Sequence, residues 1–408
     1  MNIELNEAYD ALKFYSEFTG MGSQLPYDDE SAVITHWLHR VSDRPVVGGS
    51  RVSKEWREFL KLYASQRNFC GSKEARVSFK LFPFPPPRKP KFKFIDIFAG
   101  IGGFRLGLQA LGGKCVFSCE KDARARRTYF ENFGEIPFND ICNFTKGDVS
   151  DFELDSIIPN HDVLAAGFPC QPFSKAGIAS RLFYGHSFGL KCKSQGNLFR
   201  DIVRIAKVKR PKVILLENVR NLVEMEQGAL FEKIRNIIEK DLGYSFSFSI
   251  ISSSAELPQK RERCYIVCLK NGKQFEFPKF KNKNIPLKTI LQKRVSKEFT
   301  ISNKRWSGHK RRNKRNKKRG VGFQYCLADK NFPSKTLVAR YGKDGKECLI
   351  PQEGKNPRML TPRECARLQG FPDKFTISVE RTSAYRQFGN AVSVPIVKKI
   401  GKSVLEYM

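Results

Sequence analysis

The sequence predicts an α/β fold built on a doubly wound, mostly parallel sheet, and three observations predict it. Short runs rich in Val, Ile, Leu and Phe recur from residue 92 onward and alternate with amphipathic stretches. The first run meets a glycine turn, Phe98-Ala-Gly-Ile-Gly-Gly103, at the point where the first strand of such a sheet hands over to its helix. After Lys270 the rhythm stops, and Lys, Asn, Gly and Pro with short apolar pieces replace it, which predicts a smaller, irregular second domain.

Taken in order, residues 1–90 are expected to form an N-terminal helical extension with a Pro-rich linker. Leu5, Ala8, Leu12 and Tyr15 recur at helical spacing, Trp56, Phe59, Leu60 and Tyr63 share a face, and Phe82-Pro-Phe-Pro-Pro-Pro-Arg-Lys-Pro90 is stiff and extended. This extension reads either as a second contact or regulatory arm, or as packing on the main domain. Residues 91–272 carry the strands Phe94–Phe98, Lys114–Ser118, Asp162–Ala166, Lys212–Leu216, Phe246–Ile251 and Cys264–Leu269. Helices fall between them, over Phe104–Leu111, Ala123–Asn132, Leu198–Val208 and Ala229–Leu242. Residues 273–382 form the irregular domain, and 383–408 a turn and amphipathic helix that return to the first one.

Composition limits the function. A chain of 408 residues suits two or three domains, and 40% apolar residues with 34 Phe exclude disorder throughout. No apolar run approaches about 18 residues, so no membrane segment is expected. Eleven scattered cysteines without a CxxC pair point to a reducing, cytoplasmic setting. The 73 Lys and Arg against 41 Asp and Glu leave a net charge of +32, which calls for a polyanionic partner. The surplus is local: Lys270–Ile350 holds 24 basic and five acidic residues, densest at Lys310–Arg319, whereas residues 1–90 hold 13 and 11. A solvated loop is the plain alternative for Lys310–Arg319, and phosphate neutralisation the functional one.

Four sites could carry chemistry. The glycine turn offers backbone N–H groups to an anion such as the carboxylate of S-adenosylmethionine, and Glu120 and Asp140, at later strand ends, could accept ribose hydroxyls and an adenine amino group. As surface acids or helix caps they would do neither. Gly167-Phe-Pro-Cys-Gln-Pro-Phe-Ser174 places Cys170 in a rigid turn at a strand's end, where a thiolate can act as a nucleophile. An inert core cysteine is the alternative. The glycine-rich stretch from Lys175 to Gln195 could close over it. Glu217, behind an apolar strand, could hold a proton, with Asn218 beside it as a possible helix cap. Gln259-Lys-Arg-Glu-Arg263 would put two guanidinium groups on one face, either in the site or in surface ion pairs.

In this order the segments resemble the DNA (cytosine-5)-methyltransferase family of bacterial restriction–modification type. The matching stretches are Phe94–Leu108, Gly167–Ser174, Glu217–Val219, Gln259–Arg263, Leu360-Thr-Pro-Arg-Glu-Cys-Ala-Arg-Leu-Gln-Gly-Phe-Pro372 and Tyr385-Arg-Gln-Phe-Gly-Asn-Ala-Val392. The resemblance runs from about residue 92 to the C-terminus. It implies the S-adenosylmethionine-dependent methyltransferase fold, with 273–382 as target-recognition domain. It further implies attack by Cys170 on carbon-6 of a flipped-out cytosine in double-stranded DNA, with Glu217 at ring N3, Arg263 near the pyrimidine carbonyl and Asn218 bracing the turn. The methyl group then passes to carbon-5, leaving S-adenosylhomocysteine. Phe98, Gly100, Gly102, Glu120, Asp140, Ile141, Pro169, Asn390 and Val392 match cofactor positions, and no metal is implied. Ser174, Arg261, Lys314, Arg315, Lys317 and Arg340 match or suit DNA contacts.

Arg319-Gly-Val-Gly-Phe323 and Thr336–Gly345 are similar to enzymes modifying CCNGG or CC(A/T)GG sites, with Arg340 placed to read guanine. A monomer paired functionally with a cognate restriction endonuclease follows from the same resemblance. The chain departs from the family at Lys121, where many relatives carry an aromatic or large apolar residue, and at Gly196-Asn-Leu-Phe199, where the usual sequence is Gly-Thr-Leu-Phe. Methylation of transfer RNA and a catalytically silent DNA-binding regulator are the competing readings, and the intact Cys170, Glu217 and Arg263 oppose the second.

Overall fold

A computed structural model of the chain describes residues 82–147, 149–168, 198–320 and 324–408, with Ala32, Thr35, His36 and a short parallel strand pair, β1 (Asn2–Glu4) and β2 (Arg76–Ser78), from the N-terminal part. The expected helices around Leu5–Tyr15 and Trp56–Tyr63 lie outside the described residues.

The central sheet has six strands: β3 (Phe92–Ile97), β4 (Gly113–Cys119), β5 (Val163–Gly167), β6 (Val213–Val219), β7 (Ser247–Ser252) and β9 (Glu262–Leu269), in the order β4-β3-β5-β6-β9-β7. Strands β4, β3, β5 and β6 are parallel, and β9 runs antiparallel to both β6 and β7. The expected doubly wound, mostly parallel sheet is therefore present. Side chains alternate across it, so each strand feeds two cores. Phe92, Phe94, Val163, Ala165, Val213 and Leu215 face one side, under α1 (Gly103–Gln109) and the C-terminal helix α11 (Val394–Val404). Helices α1 and α11 touch at Gly107, where a Cβ would stand 2.6 Å from Val397. Ile95, Ile97, Leu164, Ala166, Ile214 and Leu216 face the other, with α5 (Leu198–Lys209) and α6 (Ala229–Asn236) packed over them. Two short helices, α3 (Cys142–Thr145) and α4 (Asp151–Ile157), add Phe144 and Leu154 to the same core.

The helix expected over Ala229–Leu242 is interrupted. After Asn236 the chain widens into a π turn over Ile237–Asp241, with Leu242 N donating to Ile237 O at 3.1 Å. Gly243, at φ 69, then ends the helix and turns the chain back toward β7, with Leu242 and Tyr244 buried on either side of it.

A third core lies in the C-terminal part of the chain, where Leu287, Leu337, Leu349, Leu360, Phe371 and Phe388 cluster. Helix α10 (Arg381–Asn390) belongs to this core, and α2 (Ala123–Phe133) packs against it through Ala125, Tyr129 and Phe133. A short helix, α8 (Tyr341–Asp344), meets α10 where the rings of Tyr341 and Tyr385 stand edge to face. The Leu360–Pro372 stretch forms α9 (Pro362–Leu368), opened by a capping box between Thr361 and Glu364. Arg358 binds Glu364 with both guanidinium nitrogens, at 2.8 and 2.9 Å. The basic run is a helix, α7 (Asn303–Lys318), capped by Ser302. His309 is buried, and the rings of Trp306 and Tyr325 meet 4.8 Å apart beside it.

The described N-terminal residues dock on the sheet's edge. Strand β4 leaves the N–H of Ser118 unpaired by a strand, and His36 Nε2 accepts it at 3.0 Å while Nδ1 donates to Ala32 O. Thr35 Oγ1 accepts the Ile136 N–H at 2.9 Å, and the His36 ring stacks on Phe138. This contact favours the packing reading of residues 1–90 for the segment around His36.

Candidate active site

The cleft opens at the C-terminal ends of the parallel strands, where ligands bind in open α/β sheets. It encloses about 290 Å³, the scale of a small-molecule pocket. The glycine turn forms one wall. Phe98 is held at φ 60 and Gly100 at φ 55, left-handed conformations that a non-glycine residue adopts only against strain. That bend aims the Gly100 N–H at Glu120, whose Oε2 accepts it at 2.8 Å, and Oε1 accepts the Asp122 N–H at 2.7 Å. Burial pushes the Glu120 carboxyl up, against the pull of the Gly100 and Lys121 backbone donors.

Opposite the turn, Glu217 follows the buried apolar run of β6 and pairs in register with Gly167 of β5. Burial pushes its carboxyl upward, opposed by the charges of Arg263 and Arg261. Arg263 Nε stands 3.1 Å from Glu217 Oε1. That oxygen is buried and nevertheless without a well-aligned hydrogen bond, in a residue that lines the cleft. Asn218 does not cap a helix: its Nδ2 donates to Phe168 O at 3.3 Å and its Oδ1 accepts the Val219 N–H at 2.8 Å. It therefore ties the end of β6 to the chain leading out of β5.

The structure brings Phe98, Gly100, Glu120, Glu217, Arg261, Arg263, Asn390 and Val392 to one cleft. Other expected residues sit elsewhere. Gly102 donates its N–H to Ala99 O at 2.8 Å, and a Cβ on it would lie 2.3 Å from Phe133, so it permits packing and offers no free donor. Ile141 is buried in the sheet core. Asp140 binds Lys121 Nζ at 2.7 Å and the Cys142 N–H at 3.0 Å, outside the cleft lining. Lys121 thus meets the next carboxylate along the strand ends.

The expectation that Arg261 contacts DNA is corrected: it is 2% exposed, and its guanidinium is held by backbone carbonyls. Its expected companion on the same face, Arg263, goes to Glu217 instead. Arg340, Lys314, Arg315 and Lys317 are exposed, away from the cleft lining. Pro169, Cys170, Ser174, the stretch from Lys175 to Gln195 and residues 321–323 lie outside the described residues.

Three polar lining residues were not among the expected site residues: Asp122, Arg386 and Gln387. Arg386 pairs with Asp122 across the cleft mouth. Helical spacing was the available signal, since Arg386 lies one turn before Asn390 in a stretch already singled out.

The cleft's chemistry suits S-adenosylmethionine. Glu120 is a half-buried carboxylate of the kind that can accept sugar hydroxyls, Gly100 leaves open space where a Cβ would stand, and Arg261 and Arg263 flank Glu217 on the opposite wall.

Comparison with known proteins gives the same family. A sequence profile of C-5 cytosine-specific DNA methylases matches residues 92–406. The type II methyltransferase M.DsaV of Dactylococcopsis salina is 45% identical over 326 residues, covering 78% of this chain and 88% of its own. A DNA-cytosine methyltransferase of Escherichia coli K12 is 38% identical over an alignment covering 98% of this chain and 90% of its own, so that alignment includes residues before the profile match. Among solved structures, an Entamoeba histolytica methyltransferase superposes with a TM-score of 0.58 at 20% identity, over 77% of this chain and 97% of its own, a likeness of fold. Among the described residues no helix is long and apolar enough to cross a membrane.

Proposed function

The chain belongs to the C-5 cytosine-specific DNA methylase family, and on that footing we propose that it methylates carbon-5 of a flipped-out cytosine in duplex DNA through a covalent Cys170 adduct. The observation that carries this reading is Glu217: a buried carboxyl with a raised proton affinity, clamped beside Arg263, in register with Gly167 three residues before Cys170.

S-adenosylmethionine, when bound, supplies a methyl group on a sulfonium. Gly100, Glu120, Phe98, Asn390 and Val392 would hold it, with Pro169, Asp140 and Ile141 as further expected contacts. Cys170 adds to carbon-6, which makes carbon-5 nucleophilic, and leaves again once the carbon-5 proton is lost. Glu217 holds a proton at ring N3, so the ring accepts the thiolate's electrons without building a full negative charge. Arg263 steadies the carboxyl and faces the pyrimidine carbonyl. Because the target atoms lie inside the duplex, the base must leave the stack to reach them. Arg340 reads guanine, Ser174 meets the strand near the flipped base, and Lys314, Arg315 and Lys317 neutralise phosphate. A CCNGG or CC(A/T)GG site and a cognate restriction endonuclease complete the proposal.

Incubation with unmethylated genomic DNA and labelled S-adenosylmethionine, followed by sequencing for 5-methylcytosine, tests it. Label on one cytosine of a short motif is expected; label on RNA and none on DNA overturns the reading. Duplex carrying 5-fluorocytosine at the mapped position should trap a covalent adduct that Cys170→Ala does not form.

A further inference from the structure

Arg261 sits where three separated parts of the chain meet. It leaves the turn between β8 (Gln259–Lys260) and β9, in the stretch that also supplies Arg263 to the cleft. One guanidinium nitrogen donates to Leu337 O at 3.0 Å, 76 residues away, and the other to Gly389 O at 3.2 Å and Ala391 O at 3.0 Å, on either side of Asn390. Its neighbours close the same seam. Strand β8 pairs in parallel with β10 (Ser334–Lys335). Gln259 Oε1 accepts the Leu337 N–H at 2.7 Å, and Thr336 Oγ1 donates to Lys260 O at 2.7 Å. On the far side, Gly389 leaves no room for a side chain, since a Cβ there would lie 2.4 Å from Ala339 N and 2.5 Å from Val338 C. Residues 334–339 are therefore clamped between the Gln259–Arg261 turn and Gly389, and Arg340 is the next residue along.

We propose that Arg261 is a positioning residue that sets the recognition segment ending in Arg340 at a fixed distance from the catalytic cleft. The inference rests on the DNA-methylating reading above and on the assignment of Arg340 as a base reader. Planarity suits Arg to this position, because a guanidinium presents several donors in a fixed fork and can bridge three carbonyls at once, whereas an ammonium is a point charge. If the clamp slackens, a reader can engage the wrong base pair and still leave the cleft occupied, so discrimination between duplexes falls along with the rate.

The test compares the wild type with Arg261→Lys and Arg261→Gln on the duplex that the wild type methylates in genomic DNA, and on its single-base-pair variants. Arg261→Lys keeps the positive charge near Glu217 and loses the fork. It is expected to lower kcat on the cognate duplex by about ten- to a hundredfold, the scale of a misplacement near 1 Å. The ratio of kcat/KM between cognate and near-cognate duplexes should fall about tenfold or more, the loss of one well-placed base contact. Thr336→Val, at a half-buried position of the same seam, should move that ratio in the same direction by less, and serves where Arg261 variants fail to fold. Restoration of the wild-type ratio by Arg261→Lys would overturn the proposal, because charge alone would then explain the residue. An unchanged ratio in Thr336→Val and in folded Arg261 variants would do so too. A wild type that methylates no duplex at all would instead refute the function on which the inference rests.

Discussion

Arg263 and Arg315 carry the same guanidinium, and the fold gives them opposite surroundings. Arg263 has 15% of its side chain exposed and stands 3.1 Å from a carboxylate that is 9% exposed. Arg315 projects from α7 into solvent, on a sixteen-residue helix that holds nine Lys and Arg and no Asp or Glu. In the cleft, low dielectric makes each charge strong over a few ångströms and costly without a partner, so position is what matters. On α7 water and salt weaken every charge, so number and reach matter more than any one contact. On the proposed function the molecule thereby separates chemistry from grip, and substitutions can test the separation one side at a time.

The largest effect is expected at Cys170. Cys170→Ala should reduce methyl transfer on the order of 10⁴-fold or more, since the proposed reaction loses its nucleophile, and it should leave duplex affinity where it was. Steady-state transfer and filter binding measure the two. A loss of affinity in parallel would mean that grip and chemistry are not separate.

Glu217→Gln comes next, with an expected fall in kcat of about 10²–10³-fold. The pH dependence carries a sign. Burial raises the Glu217 pKa in the folded chain, so the folded state prefers the protonated form. The stability this gives is fully present below the unfolded-state pKa and is lost as pH rises through the folded one. Glu217→Gln is always neutral, so its melting temperature relative to wild type should climb as pH is raised through that range. A gap that narrows with rising pH would show that Arg263 and Arg261 outweigh burial. The kcat profile should likewise lose a limb that falls with rising pH.

Smaller again is Glu120→Ala. Two backbone donors, Gly100 and Asp122, lose their charged acceptor, and the cleft loses its proposed partner for sugar hydroxyls. Hydrogen bonds to charged groups contribute about 1.5–3 kcal/mol, so S-adenosylmethionine should bind about ten- to a hundredfold more weakly by calorimetry, with no matching change in duplex affinity.

The two regions also differed in how far they could be read beforehand. Strand ends and apolar runs are local, so the sheet, the glycine turn and Glu217 were legible from spacing and burial pattern. Arg261 was not. Its alternation with Arg263 implied a shared face, but its partners lie 76 to 130 residues away, and only the closed fold brings the Leu337, Gly389 and Ala391 carbonyls to it. The π turn after Asn236 was hidden for another reason: Ile234, Ile238 and Leu242 keep the four-residue spacing of an ordinary helix, so the pattern carries no mark of the wider turn. For α7 the density of charge was plain, while its helical form rests on Ser302 as cap and on the buried His309 beside Trp306, signals that a run of Lys and Arg conceals.

The smallest catalytic effect is expected on α7, and there the informative variable is salt. Lys314, Arg315 and Lys317 fall within one turn of exposed helix surface, close enough to meet neighbouring phosphates of one strand. Each phosphate contact releases condensed counterions and adds about 0.9 to the slope of log affinity against log salt. Replacing all three residues with Ala should therefore flatten the slope by about 3 if each is engaged on duplex. Affinity should fall most at low salt, where counterion release is worth most, and the wild-type and variant curves should converge as salt rises. If these charges touch phosphate and not base edges, as proposed, the loss should be equal on cognate and unrelated duplexes. A loss confined to the cognate duplex would make α7 a reader of sequence. An unchanged slope would leave the +19 of residues 270–350 to act through its other cations, with α7 merely solvated.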